Sequence, residues 1–400
     1  MTRLVITGLG VTAAMGADTD TLWNNLLRGA DTVREIDEWQ VDGARSRRGT
    51  LLRIDQLRKD LPQECEDAPD TAVSGVFALA EVLHAARLDD IEARRHVGLV
   101  IGTTSGGEMD AFMDQRPVPH ESAVRHANAG SSTDYLATKY GLGGPRATLS
   151  SACTSSAAAI VYAAALIREG VANAIVIGGC DRVRRADYAG FNALRAMSAD
   201  YCRPFDLQRQ GIIMGDGAAF LVLESEVHAR SRGVRPLAEL SGTGMSSDAH
   251  HATAPHPDGA ADAINQALHM AQLHPKDIAY VNCHGTGTAL NDKNEAEALA
   301  KVFGPELPNL YATSTKALTG HLLGTAGAIE ALISVLVLNK GWIPPMPTVR
   351  EVDPCAGFRL TRKSAVKINA RHVMSNSLGF GGTNVSLIFS SINKEETSDG

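Results

Sequence analysis

Three short segments of the sequence place a reactive side chain among small residues that would expose it, and a fourth is a glycine-rich loop. The first is Ser150–Ala157, in which Cys153 stands between an apolar run and a helix-forming stretch of small residues. The positive end of a helix favours the thiolate of a nearby cysteine, and the thiolate is the nucleophilic form. Most free cysteines are buried structural residues. This segment alone therefore leaves both interpretations open.

Two further segments each present a histidine. His284 follows an apolar run and precedes a glycine- and threonine-rich loop, and His321 directly precedes a long apolar segment. A neutral imidazole presented in this way can donate a hydrogen bond to a ligand, although a lone histidine is more often structural. The fourth segment, 376–384, has three glycines around Phe380. Its glycines permit close backbone approach to a ligand, and a plain turn between strands is the alternative.

The elements that position these residues recur in the same order in the two halves of the chain. Short apolar runs predict strands at 3–8, 97–101, 147–151, 174–179 and 218–223, and again at 237–241, 278–282, 311–315, 374–378 and 385–389. The glycines that follow the first run of each half predict turns there. Segments 155–168 and 322–338 are apolar on all sides, which predicts two buried helices.

This order predicts a duplicated α/β protein in five layers, α/β/α/β/α, with the two buried helices between two sheets. Strands without polar alternation favour parallel sheets covered on both faces. We expect an N-terminal half at residues 1–225 that carries the nucleophile and a C-terminal half at 226–392 that carries both histidines. Residues 393–400 are polar and are expected to be disordered.

Composition excludes several classes of protein. The net charge of −7 argues against a general nucleic-acid-binding protein. The start of the chain lacks the apolar run of a signal peptide, and no uninterrupted apolar stretch is long enough for a membrane span. The six cysteines have scattered spacings without a CxxC pair, which weakens zinc and dithiol interpretations. A cytoplasmic enzyme is expected.

Together the four segments resemble the β-ketoacyl-acyl-carrier-protein synthases, the elongating condensing enzymes of fatty-acid and type II polyketide synthesis. The similarity runs from Val5 to Phe389 and includes the segments Arg203–Asp206, Gly215–Ala218, Gly244–Ala249 and Asp292–Lys293. The resemblance implies a thiolase-like fold, a dimer and substrates carried on the phosphopantetheine arm of an acyl carrier protein. It implies no metal and no separate organic cofactor.

The resemblance also implies roles for individual residues. Cys153 would take the acyl group, and His284 and His321 would hold the malonyl unit and assist its decarboxylation. Backbone N–H groups of Cys153 and Phe380 would form the oxyanion hole. The buried supporting pair would be Lys316 and Glu295, and the substrate-binding positions would be Thr286, Thr288, Ser105, Phe191, Ile212, Leu378 and Phe380.

Four features depart from the family pattern. Ile212 and Leu378 stand where phenylalanine is common, and Ser105 stands where a bulky apolar residue often closes the acyl pocket at the dimer side. The family usually docks its acidic carrier on a basic helix, but the matching stretch 64–70 is acidic here. Like charges weaken docking. Arg195 matches a carrier-contacting position, and the arginines of segment 45–58 are further candidates for this contact.

The sequence supports more than one functional interpretation. The leading one is an active condensing enzyme, acting in fatty-acid, polyketide or polyene synthesis as a homodimer or with a related subunit. A non-catalytic partner subunit resembling a chain-length factor is the alternative, although such subunits typically lack the nucleophile. A thiolase would need a second catalytic cysteine in the loop 379–384, which has none.

Overall fold

The computed structural model describes residues 2–39, 43–104, 106–107 and 127–392. Its strands are β1 Leu4–Ala13, β2 Arg34–Glu35, β3 Arg48–Thr50, β4 Gly98–Gly102, β5 Arg146–Leu149, β6 Ala174–Asp181, β7 Met214–Gly215, β8 Gly217–Ser225, β9 Ala238–Ser247, β10 Tyr280–Asn282, β11 Tyr311–Thr313, β12 Trp342–Ile343, β13 Val366–Lys367, β14 His372–Leu378 and β15 Thr383–Ser390.

The described helices are α1 Thr19–Arg28, α2 Ile54–Leu57, α3 Val73–Ala85, α4 Ile91–Arg94, α5 Ser131–Tyr140, α6 Ser155–Arg168, α7 Arg185–Ala193, α8 Glu226–Ser231, α9 Pro257–Ala271, α10 Ala289–Phe303, α11 Lys316–Thr319 and α12 Ala326–Lys340. Short 3-10 helices occupy Arg58–Asp60, Gln63–Cys65, Pro275–Asp277, Gly304–Asn309 and Leu323–Thr325.

Two five-stranded arrangements with the same topology form the main sheet. The first has the order β1-β8-β6-β4-β5 and the second has the order β9-β15-β14-β10-β11. Numbered within each half, both orders read first, fifth, fourth, second, third. A short antiparallel pairing of Val5 and Ile6 with β9 joins them into one ten-stranded sheet. The duplication predicted from the order of apolar runs is therefore visible in the topology.

Helices cover both faces of each arrangement and complete a five-layered, thiolase-like α/β structure. The central layer holds α6 and α12, whose side chains share one apolar core with the inner faces of both sheet halves. Helix α3 covers the outer face of the first half, and α9 and α10 cover the outer face of the second. Both central helices are the ones expected from all-round apolar sequence.

Glycines near the start of each half lie inside strands and not in the turns that we expected. A Cβ on Gly10 would stand 2.2 Å from the carbonyl oxygen of Ala78 in α3. A Cβ on Gly244 would stand 1.9 Å from the carbonyl oxygen of Ala263 in α9. These glycines let an outer helix lie directly on its strand, at equivalent places in the two halves.

The expectation of parallel sheets was also wrong in part. Each half has four strand pairings, of which two are parallel and two are antiparallel. In the first half, β4 is parallel to both β5 and β6, while β8 is antiparallel to both β6 and β1. The second half repeats this with β10, β11 and β14 parallel and β9 and β15 antiparallel to their neighbours. Strands buried on both faces lack polar alternation whichever way they run, so their sequences could not reveal direction.

The segment Leu323–Lys340 is the described segment whose length and hydropathy would suffice to cross a membrane, and 89% of it is buried inside the fold. It belongs to the central helix layer. The predicted division between residues 225 and 226 stays a prediction, and it falls between the end of β8 and the start of α8. The predicted tail 393–400 lies outside the described residues.

Candidate active site

Cys153 lies in a tight turn between β5 and α6. The preceding residue, Ala152, has a φ of +51°, a left-handed conformation that costs energy for a residue with a side chain. The turn projects the thiol inward, where Cys153 is 5% exposed. Backbone N–H groups of Cys153 and Phe380 both approach its sulfur, and both act to lower the pKa of the thiol.

Burial nevertheless dominates the chemistry of this thiol. It raises the pKa of Cys153 to about 11, although Lys316 and the two backbone N–H groups oppose it. Cys153 is therefore a thiol at neutral pH in the free protein. Burial thus opposes our expectation of a thiolate at the helix end, because desolvation is the largest influence on the pKa of this thiol and raises it.

The fold brings both predicted histidines beside this thiol. The sulfur of Cys153 and ring nitrogens of His284 and His321 lie within 4.8 Å of one another. The two imidazole rings are perpendicular, with centroids 5.4 Å apart. His284 follows β10, and His321 stands between α11 and the turn that leads into α12.

Hydrogen bonds fix the same tautomer on both rings. The backbone N–H of Leu323 donates to Nδ1 of His321 over 3.0 Å. The ammonium of Lys316 lies 3.2 Å from Nδ1 of His284 and also donates to its backbone carbonyl. Because an ammonium has no lone pair, Nδ1 accepts in both rings. Each neutral imidazole therefore carries its proton on Nε2.

Both imidazoles are held in the neutral form. Burial lowers the pKa of His284 well below its ordinary value, and the nearby charge of Lys316 adds to that effect. Burial and the same lysine lower the pKa of His321 well below its ordinary value. Two buried neutral rings with Nε2–H groups are hydrogen-bond donors for an oxygen that gains negative charge.

The supporting pair differs from the one expected. Lys316 forms its ion pair with Glu330 of α12, and not with Glu295. The carboxylate of Glu295 accepts hydrogen bonds of 2.8 Å from the backbone N–H groups of His284 and Gly285. Glu295 thus shapes the loop that carries His284, while Lys316 and Glu330 set the charge beside its ring.

Glu330 is the functional residue that sequence analysis missed. It is 1% exposed and is surrounded by apolar neighbours in α12. A single charge within an otherwise apolar buried helix requires a partner of opposite charge. That pattern was visible in the segment 326–338 and could have indicated a partner for Lys316.

A cavity of about 430 Å³ leads from the surface to the Cys153 sulfur. Its lining includes all but one of the predicted substrate positions, namely Phe191, Ile212, Thr286, Thr288, Leu378 and Phe380. The predicted carrier-docking residue Arg195 and the reacting residues Cys153, His284 and His321 also line it. Lys316 and Glu295 are buried behind this lining. Ser105 lies outside the described residues, so its predicted place at the pocket floor stays a prediction.

Two aromatic rings stack at the side of the cavity. Phe380 and Phe191 have centroids 5.9 Å apart and an interplanar angle of 21°. Phe380 belongs to a loop in which Gly381 and Gly382 have φ values of +86° and +82°, a region that glycine adopts without strain. Leu378 and Ile212, which replace common phenylalanines, are both buried and add apolar lining.

The acidic stretch 64–70 is partly neutralised within the protein. Asp70 forms ion pairs with Arg58 and Arg182. Asp67 pairs with Lys139 over 2.8 Å. Only part of this stretch therefore presents free negative charge, and Arg58 is engaged in holding it.

The side chains of Cys153, His284 and His321 could also be considered as a metal site. Cys153, His284 and His321 form the group of three close donors found among the described residues, and sulfur and imidazole are ligands that zinc accepts. Metal binding requires the thiolate, and the raised pKa of Cys153 opposes its formation. Here the three side chains fit a nucleophile and two hydrogen-bond donors, and we assign no metal to them.

Comparison with protein families agrees with this geometry. The model of the β-ketoacyl synthase N-terminal domain matches residues 1–229, and that of the C-terminal domain matches residues 237–350. The chain belongs to the β-ketoacyl synthase family. The predicted family and its thiolase-like fold are thereby confirmed, and the protein is a condensing enzyme of the acyltransferase type.

Two curated relatives of this synthase match over nearly their whole length. The 3-oxoacyl-[acyl-carrier-protein] synthase 2 of Staphylococcus aureus strain COL is 32% identical, covering 97% of this chain and 98% of the relative. Nodulation protein E of Rhizobium meliloti strain 1021 is also 32% identical, covering 98% of this chain and 99% of the relative.

Solved structures of synthases match equally well. A β-ketoacyl synthase from Burkholderia phymatum STM815 has a TM-score of 0.91 and 32% identity, over 98% of this chain and 100% of that one. The ishigamide ketosynthase/chain length factor has a TM-score of 0.90 and 30% identity, over the same shares. A type II polyketide ketosynthase in complex with its acyl-carrier protein has a TM-score of 0.88 and 25% identity, over 98% and 100%.

Proposed function

We propose that this synthase joins a Cys153-bound acyl group to a malonyl unit on an acyl carrier protein, with loss of carbon dioxide. The supporting observation is the meeting of one thiol, two Nε2–H donors and two backbone N–H groups at the inner end of one cavity. A chain-length-factor-like role requires none of this arrangement.

Acylation comes first in this proposal. The sulfur of Cys153 attacks the thioester carbonyl of the acyl carrier, and the pantetheine thiol leaves with the proton. In the tetrahedral intermediate, the carbonyl oxygen becomes negative and accepts hydrogen bonds from the backbone N–H groups of Cys153 and Phe380. These donors are fixed in place before reaction, which is the property of an effective oxyanion hole.

Condensation follows on the covalent intermediate. The malonyl thioester loses carbon dioxide, and the negative charge moves to its thioester oxygen as an enolate. The Nε2–H groups of His284 and His321 donate to that oxygen. The enolate carbon then attacks the acyl carbonyl, the carbon–sulfur bond to Cys153 breaks and the released sulfur takes a proton. The phosphopantetheine arm carries the substrates, and Thr286 and Thr288 line its path.

The partners proposed for this enzyme are an acyl carrier protein and either a second copy of the chain or a related subunit. The relatives supply both kinds, since one is named as acting with an acyl-carrier protein and one is a ketosynthase/chain length factor. A role in a specialised fatty-acid, polyketide or polyene pathway is part of the proposal, together with a pocket floor at Ser105.

A trapping experiment tests this function. We expect the protein to gain the mass of one acyl group on Cys153 when it is mixed with an acylated carrier, and Cys153→Ala to abolish both the adduct and condensation. Cys283→Ala serves as the matched control, because Cys283 is fully buried in the outer core and should not react. Adducts on Cys283 or Cys180 in the parent protein would contradict the assignment.

A further inference from the structure

The outer end of the cavity carries positive charge that nearby carboxylates do not neutralise. Arg45 and Arg195 both line it and both are exposed. Neither guanidinium forms an ion pair within the part of the chain that the structure describes. By contrast, the third arginine of the lining, Arg209, is bound by Asp353 and lies 3.7 Å from Asp292.

The composition of the lining strengthens this contrast. Among the described residues, no aspartate or glutamate side chain lines the cavity. A cavity with two such guanidinium groups and no carboxylate favours an anionic ligand. The acidic stretch 64–70 does not contribute to the lining.

The two arginines are positioned by a common residue. The side-chain oxygen of Asn192 accepts hydrogen bonds from the backbone N–H groups of Arg45, at 2.9 Å, and Ser46, at 3.2 Å. Asn192 lies in α7, three residues before Arg195, whose backbone N–H donates to the carbonyl of Asn192. The side chain of Arg45 is further oriented by Gln210, 3.3 Å away. The backbones of both arginines are thus anchored at the same helix end, which places their side chains at the same end of the cavity.

Chemical character changes along the cavity from the surface inward. The arginines stand with Leu194 and Leu290, which are 55% and 57% exposed. Thr286, 7% exposed, brings a hydroxyl further in, and Cys153 lies at the inner end. A ligand that fits this order has an anion at its outer end, apolar and amide groups in the middle and a thioester at its inner end.

We propose that Arg45 and Arg195 bind the phosphate of the carrier's phosphopantetheine arm and fix its outer end while its thioester lies at Cys153. This inference rests on the proposed function. Guanidinium groups bind phosphate through charge-assisted, paired hydrogen bonds. Arg45 thereby becomes a substrate-binding residue, distinct from the neighbouring arginines Arg53 and Arg58, which pair with Asp37 and Asp70.

The test compares two free arms without any carrier protein. The rate of Cys153 acylation is measured by mass spectrometry with an acyl-phosphopantetheine and with the same acyl-pantetheine that lacks the phosphate. We expect the phosphorylated arm to react roughly tenfold faster in the parent protein at low salt. Arg45→Ala should bring the two rates close together, and Arg45→Lys should retain part of the difference.

Arg47→Ala is the matched control, since it removes the same charge from an exposed neighbour outside the cavity lining. It should leave the preference for the phosphorylated arm unchanged. Equal rates with the two arms in the parent protein would overturn the inference and leave the condensing function standing. The inference would also be overturned if Arg45→Ala lowered the acylation rate only with the whole carrier protein. Arg45 would then contact carboxylates of the carrier and not the phosphate of the arm. If neither arm acylates Cys153 while the acylated carrier does, the inference falls and the condensing function stands. If the acylated carrier also leaves Cys153 unmodified, the proposed function falls and this inference with it.

Discussion

At the scale of single residues, burial determines the protonation of all three reacting groups. Cys153 keeps its proton because its pKa is raised to about 11. His284 and His321 lose theirs because their pKa values lie well below the ordinary value. The resting site therefore holds a neutral thiol and two neutral donors, with the charge of Lys316 balanced by Glu330.

A pH prediction follows for condensation. A histidine with a lowered pKa stays neutral until the pH falls through that lowered value. With Cys153 acylated beforehand, we expect the condensation rate to stay constant from about pH 7.5 to about pH 6, where an ordinary histidine becomes protonated. Single-turnover rates measured across this range check it. A fall in rate with a midpoint near pH 6.5 would show that one ring titrates normally.

Replacing either histidine should impair condensation and leave acylation of Cys153 in place. His284→Ala and His321→Ala each remove an Nε2–H donor to the enolate, so we expect condensation to fall by about a hundredfold or more. Acylation of Cys153 should persist, because the oxyanion hole is made of backbone N–H groups. Thioester formation and product formation are measured separately. A variant that condenses at the parent rate would assign its histidine a purely structural role.

Most residues of this site could be predicted from the sequence, but the ion-pair partner of Lys316 could not. Cys153 and the two histidines could be predicted because each stands in a loop of small residues directly beside an apolar segment. The pairing of Lys316 with Glu330 could not, since a carboxylate in α10 and another in α12 were both available. Likewise, the pKa of Cys153 depends on how deeply the loop is covered, which local sequence does not record.

At the scale of elements, the strand glycines hold the outer helices in place. Gly10 and Gly244 occupy equivalent positions where a helix backbone lies against the strand. The sequence revealed the repeated glycines, but it could not separate a turn from a close helix contact. Both uses require a residue without a Cβ, and only packing decides between them.

Alanine at these positions should therefore destabilise the fold. We expect Gly10→Ala and Gly244→Ala each to lower the free energy of unfolding by about 1–3 kcal/mol, because the added methyl group would overlap a helix carbonyl. Denaturant unfolding measures the change. Gly190→Ala is the control, since Gly190 lies exposed within α7 and a Cβ added there would meet no atom within 4 Å. It should be neutral or stabilising by about 0.5–1 kcal/mol.

At the scale of the whole molecule, surface charge governs the encounter with a carrier. Arg195 is exposed at the cavity mouth, while Glu64 and Glu66 are the exposed glutamates of the acidic stretch. By sequence, residues 64–70 form one acidic patch. The ion pairs of Asp67 and Asp70 reduce it to a smaller feature, and these long-range partners could not be identified from local spacing.

Charge reversal at Arg195 and charge reversal at the acidic glutamates should change carrier-dependent turnover in opposite directions. Arg195→Glu is expected to slow carrier-dependent turnover about tenfold at low salt, because carriers of this type are acidic and attraction sets the encounter rate. Glu64→Lys combined with Glu66→Lys should speed turnover with a fatty-acid carrier and leave the contacts of Asp67 intact. Turnover is measured at several salt concentrations. No effect of either change at any ionic strength would place the docking face elsewhere.

The five-layer arrangement also has a consequence for synthesis on the ribosome. Helix α12 fills the middle of the structure and reads by hydropathy as a membrane span. Two of the strands that cover it, β14 and β15, end 38 and 50 residues after Lys340. At roughly 5–20 residues per second, several seconds pass between the translation of α12 and that of its last covering strand. During that interval, a long apolar segment of the nascent chain lacks two of the strands that cover it, and such transiently exposed apolar surface is what chaperones bind.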